Sequence, residues 1–119
     1  MVYIQEVHND PHGSPGIEAV LDSYNTVQQQ VWIRDESVYV KIINRGLDIN
    51  CKVYVTDHLT YQHISEELAI EVPRESDKVV AIWGFEPLEA GPRTQCIVNV
   101  DATPEESGRD IDGRVEIYA

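Results

Sequence analysis

Apolar and polar positions alternate along SVYVKIINRGLDINCKVYVTD (Ser37 to Asp57) in two runs. Val38, Val40 and Ile42 fall on one side of the first run, and Cys51, Val53 and Val55 on one side of the second. Tyr39, Lys41, Lys52 and Tyr54 occupy the positions between them. A period of two is that of a strand with one buried and one solvated face, and the β-branched and aromatic residues suit a pleated surface. The connector Asn44-Arg45-Gly46-Leu47-Asp48 contains Gly and Asn, which tolerate positive φ, so the chain reverses there at little cost. A hairpin and a crossover between two sheets both fit this connector.

The rest of the chain reads the same way. VYIQEV (Val2 to Val7) predicts a first strand, followed by the breaker-rich HNDPHGSPG. In IEAVLDSY, residues Ile17, Val20, Leu21 and Tyr24 match a helical face, whereas Ile17, Ala19 and Leu21 match a strand, so a short helix or an irregular strand is expected. QQVWIR (Gln29 to Arg34) predicts a strand, HLTYQHISE a polar connection or short edge strand, and ELAIEV (Glu67 to Val72) a strand closed by Pro73. KVVAIWGF (Lys78 to Phe85) lacks clean alternation, as expected of a strand covered on both faces or ending in a bulge at Gly84. EPLEAGPR reads as a turn, TQCIVNVD (Thr94 to Asp101) as a strand with Cys96, Val98 and Val100 inward, and GRVEIYA (Gly113 to Ala119) as the last strand. Seven to nine short strands with at most one short helix predict an all-β antiparallel sandwich in a single domain, residues 1–119.

Composition narrows the function. The chain has 119 residues, 42% of them hydrophobic, with no apolar run long enough for a membrane-spanning helix. The N-terminus shows no basic-then-apolar leader pattern, so the compartment is left open with a leaning toward the cytoplasm. Nine basic and 21 acidic residues give a net charge of −12, which disfavours nucleic acid, whose phosphates require clustered Lys and Arg. Glu66 to Asp77 and Asp101 to Asp112 each hold five acids and one base, together −8 of the −12. Solvated loops account for them, with a cation-binding loop or an acidic decoy for a basic protein as the sharper alternatives.

Two cysteines, Cys51 and Cys96, sit among inward-facing valines. A disulfide across a sandwich core would suit a secreted protein, but two small buried thiols need fewer assumptions. Neither has a sequence neighbour that would activate it as a nucleophile.

From VYVKIINRG through IWGFEPLEAG and CIVNVDA to GRVEIYA, the sequence resembles immunoglobulin-like and fibronectin type III-like sandwich modules, adhesion-type domains in particular. In these, a strand ending in Asn-x-Gly leads to a second strand, and a Leu-x-x-Gly step precedes a later one. The resemblance implies a sandwich acting in adhesion or protein interaction. VYVKIINRGLDINCKVYVTDHLTY is also similar to starch-binding modules, which implies stacking of aromatic side chains on sugar rings, with Tyr61 in the position of that loop.

Candidate chemistry is sparse. His8 with His12, beside Asp10, and His58 with His63, beside Asp57, lack the close-spaced ligand pairs of a zinc site and read as solvated loop residues. Asp110-Ile111-Asp112-Gly113 with Asp101 could offer oxygens to calcium, but a dedicated loop would carry more acids and a closing Glu, and an acidic turn whose Gly113 permits the reversal is the expected reading. There is no phosphate loop, nucleophile elbow or dinucleotide fingerprint. No catalytic residue, cofactor or metal is expected. The expected function is a non-catalytic module in protein–protein interaction, self-association or structure. Its candidate binding residues are Tyr39, Tyr54, Tyr61 and Trp83, and an exposed edge strand is a second possible surface. The alternatives are a carbohydrate-binding module using Tyr54, Tyr61 and Trp83, and the acidic decoy.

Overall fold

The computed structural model describes residues 2–13, 15–33, 37–85 and 94–119, the side chain of Thr94 excepted. Among these residues nine strands form: β1 (Tyr3–Val7), β2 (Pro15–Leu21), β3 (Val27–Ile33), β4 (Ser37–Asn44), β5 (Ile49–Asp57), β6 (Leu68–Val72), β7 (Asp77–Trp83), β8 (Thr94–Pro104) and β9 (Gly113–Tyr118). They make two antiparallel sheets, a five-stranded one in the order β1-β7-β4-β9-β2 and a four-stranded one in the order β3-β8-β5-β6. No helix is present among the described residues. The turn expected over EPLEAGPR lies outside them.

The chain therefore forms the two-sheet antiparallel sandwich anticipated from its alternation. Apart from β1, its strands run β2-β9-β4-β7 in one sheet and β3-β8-β5-β6 in the other, which is the winding of a jelly roll. From β2 onward every connection but β5–β6 crosses between the sheets. What it shares with immunoglobulin-like modules is the face-to-face packing of two antiparallel sheets.

The segment open to two readings is β2. Its inward residues are Ile17, Ala19 and Leu21, the last fully buried. A helical face would have had to bury Val20 and Tyr24, which are 69% and 89% exposed. Pairing with β9 settles the matter, with a register irregularity between Pro15 and Ile17. β7 is the opposite case. Val79, Val80, Ala81 and Ile82 are all buried because the strand lies between β1 and β4 with both faces covered.

The interior is a single cluster of aliphatic side chains, with Val38, Val40 and Ile42 from β4 facing Val53 and Val55 from β5 and Val98 and Val100 from β8. Each such side chain stabilises the fold by roughly 1.5–3 kcal/mol relative to exposure. The connector after β4 carries the chain from one sheet to the other, and Asn44 secures it. Asn44 is 1% exposed, donates to the carbonyls of Leu47 (2.8 Å), Val72 (3.1 Å) and Pro73 (3.0 Å), and accepts from Gly46 N (3.0 Å). A polar side chain is tolerated in that position because its hydrogen-bonding capacity is filled. Gly113 is needed next to it, since a Cβ there would collide with the Ile43 carbonyl oxygen.

Both cysteines are free and buried, and burial pushes each thiol up to about 12. They belong to neighbouring strands of the same sheet. Cys51 pairs with Ala102 on β8, six positions along that strand from Cys96. At about 3.3 Å per residue the separation is near 20 Å, far beyond disulfide reach. A disulfide across the core is ruled out by this placement.

Candidate functional site

Because the connector after β4 is a crossover, the four aromatic candidates do not share one surface. Tyr39 and Trp83 lie on the outer face of the five-stranded sheet, whereas Tyr54 lies on the outer face of the four-stranded sheet, with Tyr61 in the loop that follows β5. Tyr39 is therefore not brought to the face that holds Tyr54 and Tyr61.

The five-stranded face is partly closed on itself, although Tyr3 and Trp83 stay 53% and 38% exposed and a polar depression of about 430 Å³ lies beside Lys41, Asp77, Arg114 and Glu116. β1 and β2 are its two edges, so residues 8–13 pass over the sheet on their way from one to the other. On this side His12 packs edge-on against Tyr39, with ring centroids 5.5 Å apart at 82°. Trp83 stacks on Tyr3 at 5.7 Å. Ile43, Val79 and Ala81 point away from the core yet are buried. Next to them is a small polar network. Glu116 accepts from Tyr118 Oη (2.6 Å) and from Arg114 (Nε 3.0 Å, Nη2 2.9 Å), while Lys41 Nζ lies 3.8 Å from Asp77. The bond from Tyr118, with help from Arg114, holds the Glu116 carboxyl below its usual range, and the same bond pushes the Tyr118 hydroxyl up.

The four-stranded face is open. Tyr54 is half-buried and stacks on His63, with centroids 4.7 Å apart and ring planes at 19°, and its hydroxyl donates to Asp101 Oδ2 (3.2 Å). Partial burial, then the Asp101 charge and hydrogen bond, raise the Tyr54 hydroxyl above its ordinary value. Beneath it, Asn99 is buried and uses its amide N–H groups on Thr56 Oγ1 and the Ile97 carbonyl, both at 3.2 Å. Asn99 is thus a support for the face, not a free contact group.

Tyr61 is displayed by a tightly tied loop. The Asp57 carboxylate accepts from the backbone N–H groups of Leu59 (2.8 Å) and Thr60 (2.9 Å), and these two bonds, Thr60's foremost, hold it below its usual range. Asp57 N donates to Gln62 O (2.8 Å), and Tyr61 N to Asp57 O (3.1 Å). Further on, Ser65 Oγ accepts from Val55 N (2.9 Å) and returns the chain to the sheet. The result places Tyr61 at φ +59°, a left-handed conformation costly for a bulky residue, with 70% of its surface exposed. Strain held by a surrounding hydrogen-bond frame is a feature of recognition loops.

Two depressions mark this face. One, of about 130 Å³, is lined by Gln28, Tyr54, Thr56, Tyr61 and His63 over Ile97 and Asn99. The other, of about 470 Å³, lies between β5, β6 and β8 and is lined by Asn50, Lys52, Glu71, Asp101 and Thr103, among others. The hydrogen bond between Tyr54 and Asp101 joins the two. The sequence reading missed Leu59, 75% exposed beside Tyr61, and Trp32, 54% exposed on β3. An apolar residue at an outward position of an alternating strand was the available signal for Trp32.

The histidines do not converge. His8 and His12 are exposed, His58 Nδ1 has no hydrogen-bond partner among the described residues, and His63 is taken up by its stack on Tyr54. Among the described residues, one group of three possible ligands exists, Asp48, Glu71 and Glu105, whose oxygens lie within 4.8 Å of one another. Asp48 Oδ1 there already accepts from Arg74 N at 2.6 Å. Asp110 and Asp112 do not join Asp101 in such a group. Comparison with protein-family models, curated proteins and solved structures finds no match.

Proposed function

We propose that this chain is a non-catalytic interaction module, and that a protein partner sits on the outer face of the four-stranded sheet around Tyr54 and Tyr61. The observation that carries this reading is the chemistry of that face. On a chain of net charge −12 it displays two tyrosines and outward amide and hydroxyl side chains, with Lys52, Glu71 and Asp101 set to one side. Tyrosine supplies a large contact area at low entropic cost and anchors interfaces well. The frame around Asp57 prepares the loop, so binding need not order it. The Cys51 and Cys96 side chains are buried in the core, away from this face, and take no part in it.

A neutral glycan is the second reading, favoured by Gln28 and Thr56 lying beside the rings of Tyr54 and Tyr61 in one shallow depression. Affinity capture from native extracts with the wild-type chain and with Tyr61→Ala, alongside affinity electrophoresis in soluble glucans, separates the two. A protein retained by wild type and lost with Tyr61→Ala supports the first reading. Retardation in a glucan that disappears with Tyr61→Ala replaces it with the second. Capture that is indifferent to Tyr61 but collapses with salt points instead to a basic protein on the acidic loops and overturns both.

A further inference from the structure

The two sheets have four edges, β1, β2, β3 and β6, and three of them carry features that discourage pairing with another chain. β2 contains Pro15, Glu18 and a register irregularity. β6 is five residues long, carries Glu71 and is followed by Pro73. β1 carries Glu6, and just ahead of it Val2 bridges to Ser65 at the corner with the other sheet. β3 has none of these features. Its seven residues, VQQQVWI, pair with β8 in unbroken register from Val27 to Ile33 and include no charge, proline or glycine. Among the described residues, nothing pairs with β3 on the side away from β8. A long, regular and uncharged edge is a template for strand addition.

A second copy of β3 fits this edge in length and without any conflict of charge. An antiparallel copy centred on Gln30 sets Val27 opposite Ile33, Gln28 opposite Trp32, Gln29 opposite Val31 and Gln30 opposite itself. Of the inward positions, Val27, Val31 and Ile33 are buried and aliphatic and Gln29 is half-buried, so the pairing extends the aliphatic stripe of each sandwich except where Gln29 meets Val31. Outward, the exposed Trp32 lies over the aliphatic stem of the facing Gln28, and the two Gln30 amides can each donate to and accept from the other. No like charges meet across the strands, although the two chains bring −12 each. We infer that β3 pairs with β3 of a second copy about a two-fold axis through Gln30, joining two four-stranded sheets into one of eight strands and placing two Tyr54/Tyr61 faces side by side. This inference is independent of what that face binds.

Sedimentation velocity over a concentration series tests it. The wild-type chain is expected to dimerise, and more tightly at high salt, because screening relieves the repulsion between two acidic bodies while the strand pairing itself carries no charge. Gln30→Lys and Gln30→Glu each place like charges opposite one another and are expected to weaken the dimer by about tenfold or more. Gln30 is an exposed outward residue, so both variants should keep the wild-type circular dichroism spectrum. An equimolar mixture of the two variants should recover a heterodimer. Gln28→Glu, which sets a carboxylate against the Trp32 ring of the facing copy and adds to the repulsion between two acidic chains, provides a second disruption should either variant at position 30 misfold. A wild-type chain that stays monomeric up to about 1 mM overturns the inference. So does a dimer that is unaffected by these substitutions.

Discussion

The two outer faces of this sandwich are built from the same alternating strands and differ in how their side chains are satisfied. On the five-stranded sheet the polar and aromatic side chains satisfy one another: His12 on Tyr39, Tyr3 on Trp83, and Arg114 and Tyr118 on Glu116. On the four-stranded sheet the supporting groups, Asn99, Ser65 and Asp57, are satisfied from within, and Tyr61 and Trp32 remain displayed. Tyr39 and Trp83 on the first face and Tyr54 on the second each have a stacked or edge-on aromatic neighbour, whereas among the described residues Tyr61 and Trp32 have none. Aromatic content alone does not separate the two faces. What does is the ring surface left displayed without a neighbour.

The largest effect should come from Asn44, which serves both sheets at their crossover. Asn44→Ala strands the buried carbonyl of Val72 and the part-buried carbonyls of Leu47 and Pro73 and is expected to cost about 2–4 kcal/mol, read as a fall in the urea midpoint. Next is Tyr39→Ala on the covered face, expected to cost roughly 1–3 kcal/mol through lost packing. Tyr61→Ala, by contrast, should stay within about 0.5 kcal/mol of wild type while removing ligand binding. If Tyr61→Ala proves the more damaging to stability of the two, the division between covered and open faces is wrong.

The polar network sharpens the comparison through pH. Glu116 has a folded pKa below its unfolded value, so its contribution is present above the ordinary carboxylate range and disappears as pH falls through the lowered folded value. Tyr118 has a raised folded pKa, so its contribution is intact below the ordinary tyrosine range and disappears as pH rises through the raised value. Denaturation midpoints of Glu116→Gln against wild type should differ most near neutrality and converge at acid pH. A further expected effect is of opposite sign. Tyr61→Gly relieves the left-handed strain and should stabilise the fold by about 0.5–1 kcal/mol despite losing the ring. In every folded variant Cys51 and Cys96 should resist thiol reagents near neutral pH and react only on unfolding.

Much of the fold was legible because burial follows a period of two. The inward valines of β4, β5 and β8 are where alternation puts them. What alternation does not encode is which strands share a sheet. The stretch from Ser37 to Asp57 reads equally as hairpin or crossover, and the outcome depends on Asn44 bonding to the carbonyls of Val72 and Pro73, 28 and 29 residues away. That one choice sends Tyr39 and Tyr54 to opposite sides of the molecule. The ambiguity over Ile17 to Tyr24 has a similar origin. A short segment satisfies both periods, and only pairing with β9 at the far end of the chain selects the strand.

That last pairing bears on how the protein is made. β9 lies between β2 and β4, so the five-stranded sheet has a gap until the final strand arrives. A nascent chain carrying residues 15–21 would hold that strand without a neighbour until nearly one hundred further residues had been added. Assembly should therefore be late, cooperative and slow for a chain of this size, since most of its ladders join distant segments. Removing residues 113–118 should leave no stable remnant, with the interior exposed and two unpaired borders on either side of the vacancy.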